Sequence, residues 1–360
     1  MSSKKDKLYL NLALNLAKNM EGLTGTNPSV GSVLVKNDEV ISLASTGYNG
    51  TPHSEFSLLN KIDQKITKGS SLYVTLEPCS HYGKTPPCTN IIIDKKISRL
   101  VYGAHDIDER SSKRAKQILK SKKIKVKNIN VPKINEFYKP YIFQRKYKQP
   151  YVVGKIACSK DFFIKSSKSK YVSNTYTQSF SHHLRYKNQA ILVTYKTINE
   201  DNPLLDCRLS GLNEYSPIKV IIDKNLKVKK NANIFKLKNA KIIIFYNSGE
   251  KKKIKFLKSK KVKLINVKLE KNGEFDLKKV MLILYKNNIC FLLVEGGNQF
   301  TNKMLDKNLF NEFYLIKTDI KLRQSGKLNI KKIVYKLSKK FRIKSNINQY
   351  FDKNRITRFI

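Results

Sequence analysis

At 360 residues the chain is long enough for two domains with cores of their own, and 72 Lys and Arg against 27 Asp and Glu give it a formal charge of +45. Its apolar runs fall far short of the roughly eighteen residues that span a bilayer, and Leu8 to Leu16 is interrupted by Asn11 and Asn15; neither a membrane span nor a secretory leader is expected, and a cytoplasmic protein is. Cys79, Cys88, Cys158, Cys207 and Cys290 form no even, dense framework, which excludes a disulfide scaffold. Lysine is spread over the whole chain and arginine is scarce beside abundant Asn and Ile, so the charge reads as A+T-rich codon usage and no specific nucleic-acid partner is expected.

Leu8, Leu12, Ala13, Leu16 and Ala17 recur at helical spacing, and Val30 to Val35 with Val40-Ile41 read as two strands around a Lys36-Asn37-Asp38-Glu39 turn. His53 to Lys61 reads as helix, with His53 and Glu55 in its first turn. Ser71 to Leu76 is a strand that delivers Cys79 at its C-terminal end, where open α/β sheets gather ligands, and Cys88 to Ile93 opens the next helix. Leu100 to Ala104 is a strand, and Lys120 to Lys127 fits a last short one. Between Phe137 and Pro150 the apolar pattern weakens and charge rises, which predicts a link between a domain at 1–146 and another at 147–360. Tyr151 to Ala157 begins a second sheet, with strands at Ala190 to Val193, Ile218 to Asp223, Lys241 to Phe245 and Cys290 to Glu295; the lysine runs around 251–263 read as a solvated helix face or loop.

The chemistry lies in His53-Ser54-Glu55, Thr75-Leu76-Glu77-Pro78-Cys79 and Pro86-Pro87-Cys88. One imidazole and two thiolates suit tetrahedral zinc and leave a fourth position for water, whose pKa bound zinc lowers to about 7. Glu55 is placed to carry protons between hydroxide and a departing amine. The set implies hydrolytic deamination at the amino-bearing carbon of a heterocycle; a structural zinc, or a Glu55 that only charges a helix N-terminus, is the plainer reading of the same residues.

With Asn27-Pro28-Ser29-Val30-Gly31, and with the uninterrupted Thr75 to Cys88 segment in which eight residues separate the cysteines, the chain resembles the bifunctional riboflavin-biosynthesis deaminase/reductase family over essentially its whole length. The resemblance implies a cytidine-deaminase-like three-layer α/β domain followed by a dihydrofolate-reductase-like α/β domain. It implies zinc and NADPH as cofactors, a phosphorylated pyrimidine as substrate, and a homo-oligomer. By the same resemblance His53, Cys79 and Cys88 are zinc ligands, Glu55 is the proton shuttle, and Asn27, His81 and Lys84 meet the substrate. Ser54 replaces the more usual alanine, a small residue for a small one.

In the second half, Lys155-Ile156-Ala157, Thr197 to Leu205 and Val294-Glu295-Gly296-Gly297 match the reductase pattern. The resemblance places Tyr171, Thr197, Asp201, Gly296 and Gly297 against NADPH, and Ser169, Arg185, Leu205, Arg208 and Glu295 against the substrate. The chain departs from the pattern at Phe162, where glycine is usual, at Tyr171, where tryptophan is usual, and at Tyr195-Lys196, where small residues are usual. Three other readings stay open: a deaminase with a degenerate reductase half, a tRNA or nucleobase deaminase with a basic binding module, and a zinc-bearing RNA-binding protein. Taken singly, Arg185 and Arg208 also read as solvated or ion-paired arginines, and Asn27, Asp201 and Glu295-Gly296-Gly297 as turn chemistry.

Overall fold

The computed structural model describes residues 3–83, 85–110, 114–167 and 173–360. Three of the expected contacts, Lys84, Ser169 and Tyr171, lie outside the described residues. The chain divides into two compact units, Met1–Gln149 and Pro150–Ile360.

The first unit runs α1 (Ser3–Asn19), β1 (Gly31–Lys36), β2 (Glu39–Ser45), α2 (Ser54–Leu59), α3 (Gln64–Thr67), β3 (Ser71–Leu76), α4 (Cys88–Asp94), β4 (Arg99–Ala104), α5 (Arg114–Ser121), β5 (Lys125–Asn128) and α6 (Pro132–Tyr147). Its sheet has the order β2-β1-β3-β4-β5; β1 is antiparallel to β2 and β3, whereas β3, β4 and β5 are parallel. The β1–β2 turn is closed by Asn37 and Asp38, both at positive φ (51° and 66°), the conformation that matches the twist of a two-residue hairpin and that Asn and Asp tolerate. Gly31 is glycine because α1 lies directly on it: a Cβ there would sit 1.9 Å from the Ala13 carbonyl oxygen.

Two expectations change here. Residues 137–147 are not a link but the second half of α6, which ends at Lys148 in a left-handed conformation. Its buried positions include, besides Ile134 and Gln144, the amphipathic Tyr138 and Tyr141, whose hydroxyls need partners inside: Tyr138 donates to the Ser29 carbonyl at 2.9 Å and Tyr141 to Asp106 Oδ1 at 3.0 Å. The last strand starts only at Lys125, because Ala115 and Leu119 turn the preceding lysine-rich stretch into α5.

The second unit contains β6 (Tyr151–Cys158), β7 (Phe163–Ser166), α7 (Thr175–Tyr186), β8 (Ala190–Thr194), α8 (Tyr195–Asp201), β9 (Ile218–Ile222), β10 (Ile242–Tyr246), α9 (Lys251–Ser259), β11 (Lys263–Asn266), α10 (Leu277–Lys286), β12 (Phe291–Val294), α11 (Gly297–Asp306), β13 (Glu312–Lys317), β14 (Gly326–Asn329), α12 (Lys331–Lys340), β15 (Lys344–Asn346) and β16 (Arg355–Phe359). Nine strands form one sheet in the order β11-β10-β9-β8-β12-β6-β13-β16-β15, and β7 pairs separately with β14. From β11 to β13 all neighbours are parallel, which explains their near-continuous apolar runs. The lysines of 251–259 form α9, anchored by buried Leu257. Late in the chain β12 enters between β8 and β6, so the order reverses there, and the C-terminal end of β12 is where a parallel sheet opens a ligand crevice.

Phe162 shows what its position demands. It lies in the β6–β7 turn at φ +71°, its N–H donating to the Ser159 carbonyl at 3.0 Å. This is left-handed backbone that glycine adopts freely and phenylalanine does not. The ring is held beneath Lys317 Nζ, 4.2 Å from its centroid.

Candidate metal centre and a buried charge cluster

In the first unit β3 ends at Leu76, and the Glu77 N–H continues its pairing with β4 by donating to the Ala104 carbonyl at 2.8 Å. This fixes the approach to Cys79. Cys88 is the first residue of α4, and its N–H donates to Cys79 Sγ at 3.2 Å. His53 is extended (φ −66°, ψ 153°) and immediately precedes α2, so it stands just outside the helix while Glu55 stands inside.

His53 Nδ1 lies 3.3 Å from Cys88 Sγ and 3.5 Å from Cys79 Sγ, and the ligand atoms of all three residues fall within 4.8 Å of one another. Zinc–nitrogen and zinc–sulfur bonds of about 2.0 and 2.3 Å at a tetrahedral angle set nitrogen and sulfur about 3.5 Å apart. The three residues therefore have the spacing of a zinc coordination shell and can hold the ion. The hydrogen bond with Cys88, joined by those of His53, holds the Cys79 thiol down at about 4 against burial, while the same bond and burial push Cys88 well above its ordinary value. One thiolate is thus favoured before any metal binds. Burial is the main cause raising the Glu55 carboxyl above its usual range, and the charge of Cys79 adds to it.

Asn27 donates through Nδ2 to the Gly50 carbonyl at 2.9 Å, which ties its loop to the turn ahead of His53. His81 is half-buried in the 80–87 segment between the two cysteines, beside the exposed Tyr82. Sequence reasoning passed over Ser54, which is fully buried and donates to Glu55 Oε2 at 3.0 Å; its one signal was the departure from alanine.

In the second unit, Arg185 of α7 and Glu295 at the end of β12 come together as a bidentate pair, Nε to Oε1 at 3.2 Å and Nη2 to Oε2 at 3.0 Å. Lys155 Nζ of β6 reaches Glu295 Oε2 at 3.6 Å. Burial raises the Glu295 carboxyl, but Arg185 and then Lys155 outweigh it and hold it down at about 2; burial lowers Lys155. In the sequence Lys155 stands out only within the Lys155-Ile156-Ala157 match, although a charged residue in a core strand is itself a signal. Arg208 is exposed, with Nη2 3.3 Å from His182 Nε2 and Nε 3.5 Å from Asp206 Oδ1. Leu205 is buried at φ +55°.

Thr197 lies in the first turn of α8, its Oγ1 3.5 Å from Thr194 Oγ1. Asp201 ends that helix, and Lys165 of β7 grips both Asp201 Oδ1 (2.9 Å) and Glu200 Oε2 (2.8 Å). Gly296 and Gly297 open α11. A Cβ on Gly296 would strike Phe300 at 2.3 Å, whereas Gly297 takes φ +68° with nothing within 4 Å of its missing Cβ. No acidic residue occupies the first turn of α11. The α11 N-terminus therefore carries no side chain at Gly297 and no acidic residue, a combination that fits the pyrophosphate of a dinucleotide.

The cytidine and deoxycytidylate deaminase zinc-binding region matches residues 3–104, and the RibD C-terminal domain matches residues 150–318. Fold and site together define a protein in which a zinc-dependent, cytidine-deaminase-like unit is followed by a dihydrofolate-reductase-like reductase unit. The chain is 33% identical over 313 residues to the riboflavin biosynthesis protein RibD of Aquifex aeolicus, covering 85% of each. It is 31% identical to that of Bacillus amyloliquefaciens, covering 86% of this chain and 83% of the relative. The chain belongs to the RibD family, whose members are bifunctional deaminases and reductases of riboflavin biosynthesis that use zinc and NADPH. The crystal structure of a diaminohydroxyphosphoribosylaminopyrimidine deaminase/5-amino-6-(5-phosphoribosylamino)uracil reductase from Thermotoga maritima superposes with a TM-score of 0.81 at 25% identity, covering 99% of this chain and 98% of that one. RibD of Acinetobacter baumannii has the same fold, with a TM-score of 0.83 at 23% identity and 99% coverage of both chains.

Proposed function

We propose that His53, Cys79 and Cys88 hold the zinc of the first reaction and that Glu55 moves its protons, so that the first unit deaminates a phosphoribosylamino-diaminopyrimidine. The observation that carries this reading is the spacing of the three ligand atoms beside a buried carboxylate. Bound zinc supplies water acidified to a pKa of about 7. Glu55 takes the proton released by that water and hands it to the departing amine, and its burial favours a carboxyl able to hold a proton between the two steps. Asn27, His81 and Lys84 orient the substrate, His81 and Lys84 by donating to its phosphate.

The second unit reduces the ribosyl group of the deaminated product to ribityl, NADPH supplying the hydride when bound. Gly296 and Gly297 admit its pyrophosphate to the α11 N-terminus, and Tyr171, Thr197 and Asp201 complete the cofactor side. Ser169, Leu205 and Arg208 hold the phosphorylated substrate, with Arg185 and Glu295 contributing as one preformed pair. Phe162 supports an active reductase, since it takes up the left-handed backbone of the turn instead of disrupting it.

The test follows ammonia release and NADPH oxidation from one substrate in the zinc-loaded protein. Both are expected, with Glu55→Gln retaining zinc and losing the first. A fully active Glu55→Gln protein refutes the shuttle, and ammonia release without NADPH oxidation shows a deaminase alone. Among the described residues no helix is long and apolar enough to cross a membrane; the cytoplasm and a homo-oligomeric state are part of this proposal, the latter checked by sedimentation.

A further inference from the structure

Glu55 is tethered through its neighbour. Ser54 Oγ lies 3.0 Å from Glu55 Oε2 and 2.6 Å from Ser32 Oγ, and both serines are fully buried. In the ionised state that takes up the proton, the Glu55 carboxylate only accepts, so Ser54 donates to it; the single Ser54 proton is then committed, and Ser32 donates to Ser54. The direction of the chain Ser32 to Ser54 to Glu55 is thereby set. Ser32 belongs to β1, held between β2 and β3 opposite Ala44 and Val74. The far end of the hydrogen-bond chain is therefore an interior strand of the sheet, paired on both sides. By contrast α2, which carries Ser54 and Glu55, is six residues long and has no side-chain cap at its N-terminus.

We propose that Ser54 and Ser32 are positioning residues for deamination, fixing one oxygen of Glu55 on the rigid sheet so that the other is presented to the reacting water and amine. The alanine more usual between the histidine and the glutamate cannot make this bond. The inference rests on the reading of Glu55 as the proton carrier. Neither serine is expected to touch substrate or zinc.

Steady-state ammonia release by the full-length, zinc-loaded protein tests it. Ser54→Ala is expected to lower kcat about tenfold, at the lower end of what outer partners of metal-site groups contribute, with KM changed by less than about twofold and zinc content unchanged. Ser54→Thr, which keeps the hydroxyl, is expected to restore kcat, Ser32→Ala to act in the same direction as Ser54→Ala, and Ser54→Ala to add nothing in a Glu55→Gln background. An unchanged kcat in Ser54→Ala, or equal losses in Ser54→Ala and Ser54→Thr, overturns the proposal. The Glu55 carboxylate band, isolated as the infrared difference between the protein and Glu55→Gln, gives a readout that does not depend on turnover. It is expected to shift in Ser54→Ala, and an unchanged band overturns positioning; absence of ammonia release by the unmodified protein instead sinks the deaminase reading alone.

Discussion

Arg185 grips both carboxylate oxygens of Glu295, at 3.2 and 3.0 Å, in a part of the second unit where each side chain is less than 15% exposed. Two residues expected to meet a substrate thus meet each other first. A buried pair of this kind is costly to break from one side, because the surviving charge stays in the interior. Glu295→Gln is expected to destabilise the protein by about 3 to 5 kcal/mol, since Arg185 and Lys155 both lose their counter-charge; a thermal melt of the two proteins checks it. The folded carboxyl, at about 2, lies below its ordinary 4.5. Its stabilisation is therefore complete above that ordinary value and is lost as pH falls through the folded one. The difference between the two melts should narrow over that window, and a constant difference contradicts the pairing.

Loss of any one of His53, Cys79 and Cys88 should empty the metal centre. His53→Ala, Cys79→Ser and Cys88→Ser are each expected to purify with well under one zinc per chain and to release no ammonia, whereas Glu55→Gln keeps its zinc. Metal content by elemental analysis separates the two groups.

Phe162 should invert the usual ranking of alanine and glycine. Its ring packs and lies 4.2 Å from Lys317 Nζ, but its backbone stands at φ +71°. Phe162→Ala loses the ring and keeps the strain. Phe162→Gly loses the ring and relieves it, so it should be the more stable of the two by about 1 kcal/mol. Melting curves that place Phe162→Gly below Phe162→Ala count against strain at this turn.

Tyr138 closes a buried chain of hydrogen bonds: the Gly31 N–H donates to Thr75 Oγ1 at 3.1 Å, Thr75 and Tyr138 share a 2.6 Å hydroxyl contact, and Tyr138 donates to the Ser29 carbonyl. Tyr138→Phe keeps the ring and strands those partners, at a cost of about 1 to 3 kcal/mol. Denaturant titration followed by the deaminase half measures it, and an unchanged midpoint shows that the hydroxyl is dispensable.

The parts of this molecule that could be read in one dimension are those whose signal is local. Ser71 to Leu76 is rich in apolar, aromatic and β-branched residues and forms β3 over those same residues; His53, Cys79 and Cys88 announce themselves by residue type, and the structure brings them together. What stayed hidden depends on partners far along the chain. Tyr138 and Tyr141 look half-polar until Ser29 and Asp106 are found to satisfy their hydroxyls, so α6 passed for a link. Ser54 looked like a neutral exchange for alanine because Ser32, which gives it meaning, lies on another element. Lys165 was unremarkable until β7 set it against Glu200 and Asp201.

The anchoring of α6 determines where this polypeptide can be divided. A gene split ahead of Pro132 would strip Tyr138, Tyr141 and Arg145 from the first unit, and with Arg145 its bond to the Thr26 carbonyl at 3.0 Å. The segment beside Asn27 would lose its brace from behind. A split at the left-handed Lys148, just after the helix ends, leaves those bonds whole, so a free-standing first half must carry α6 as its own closing element.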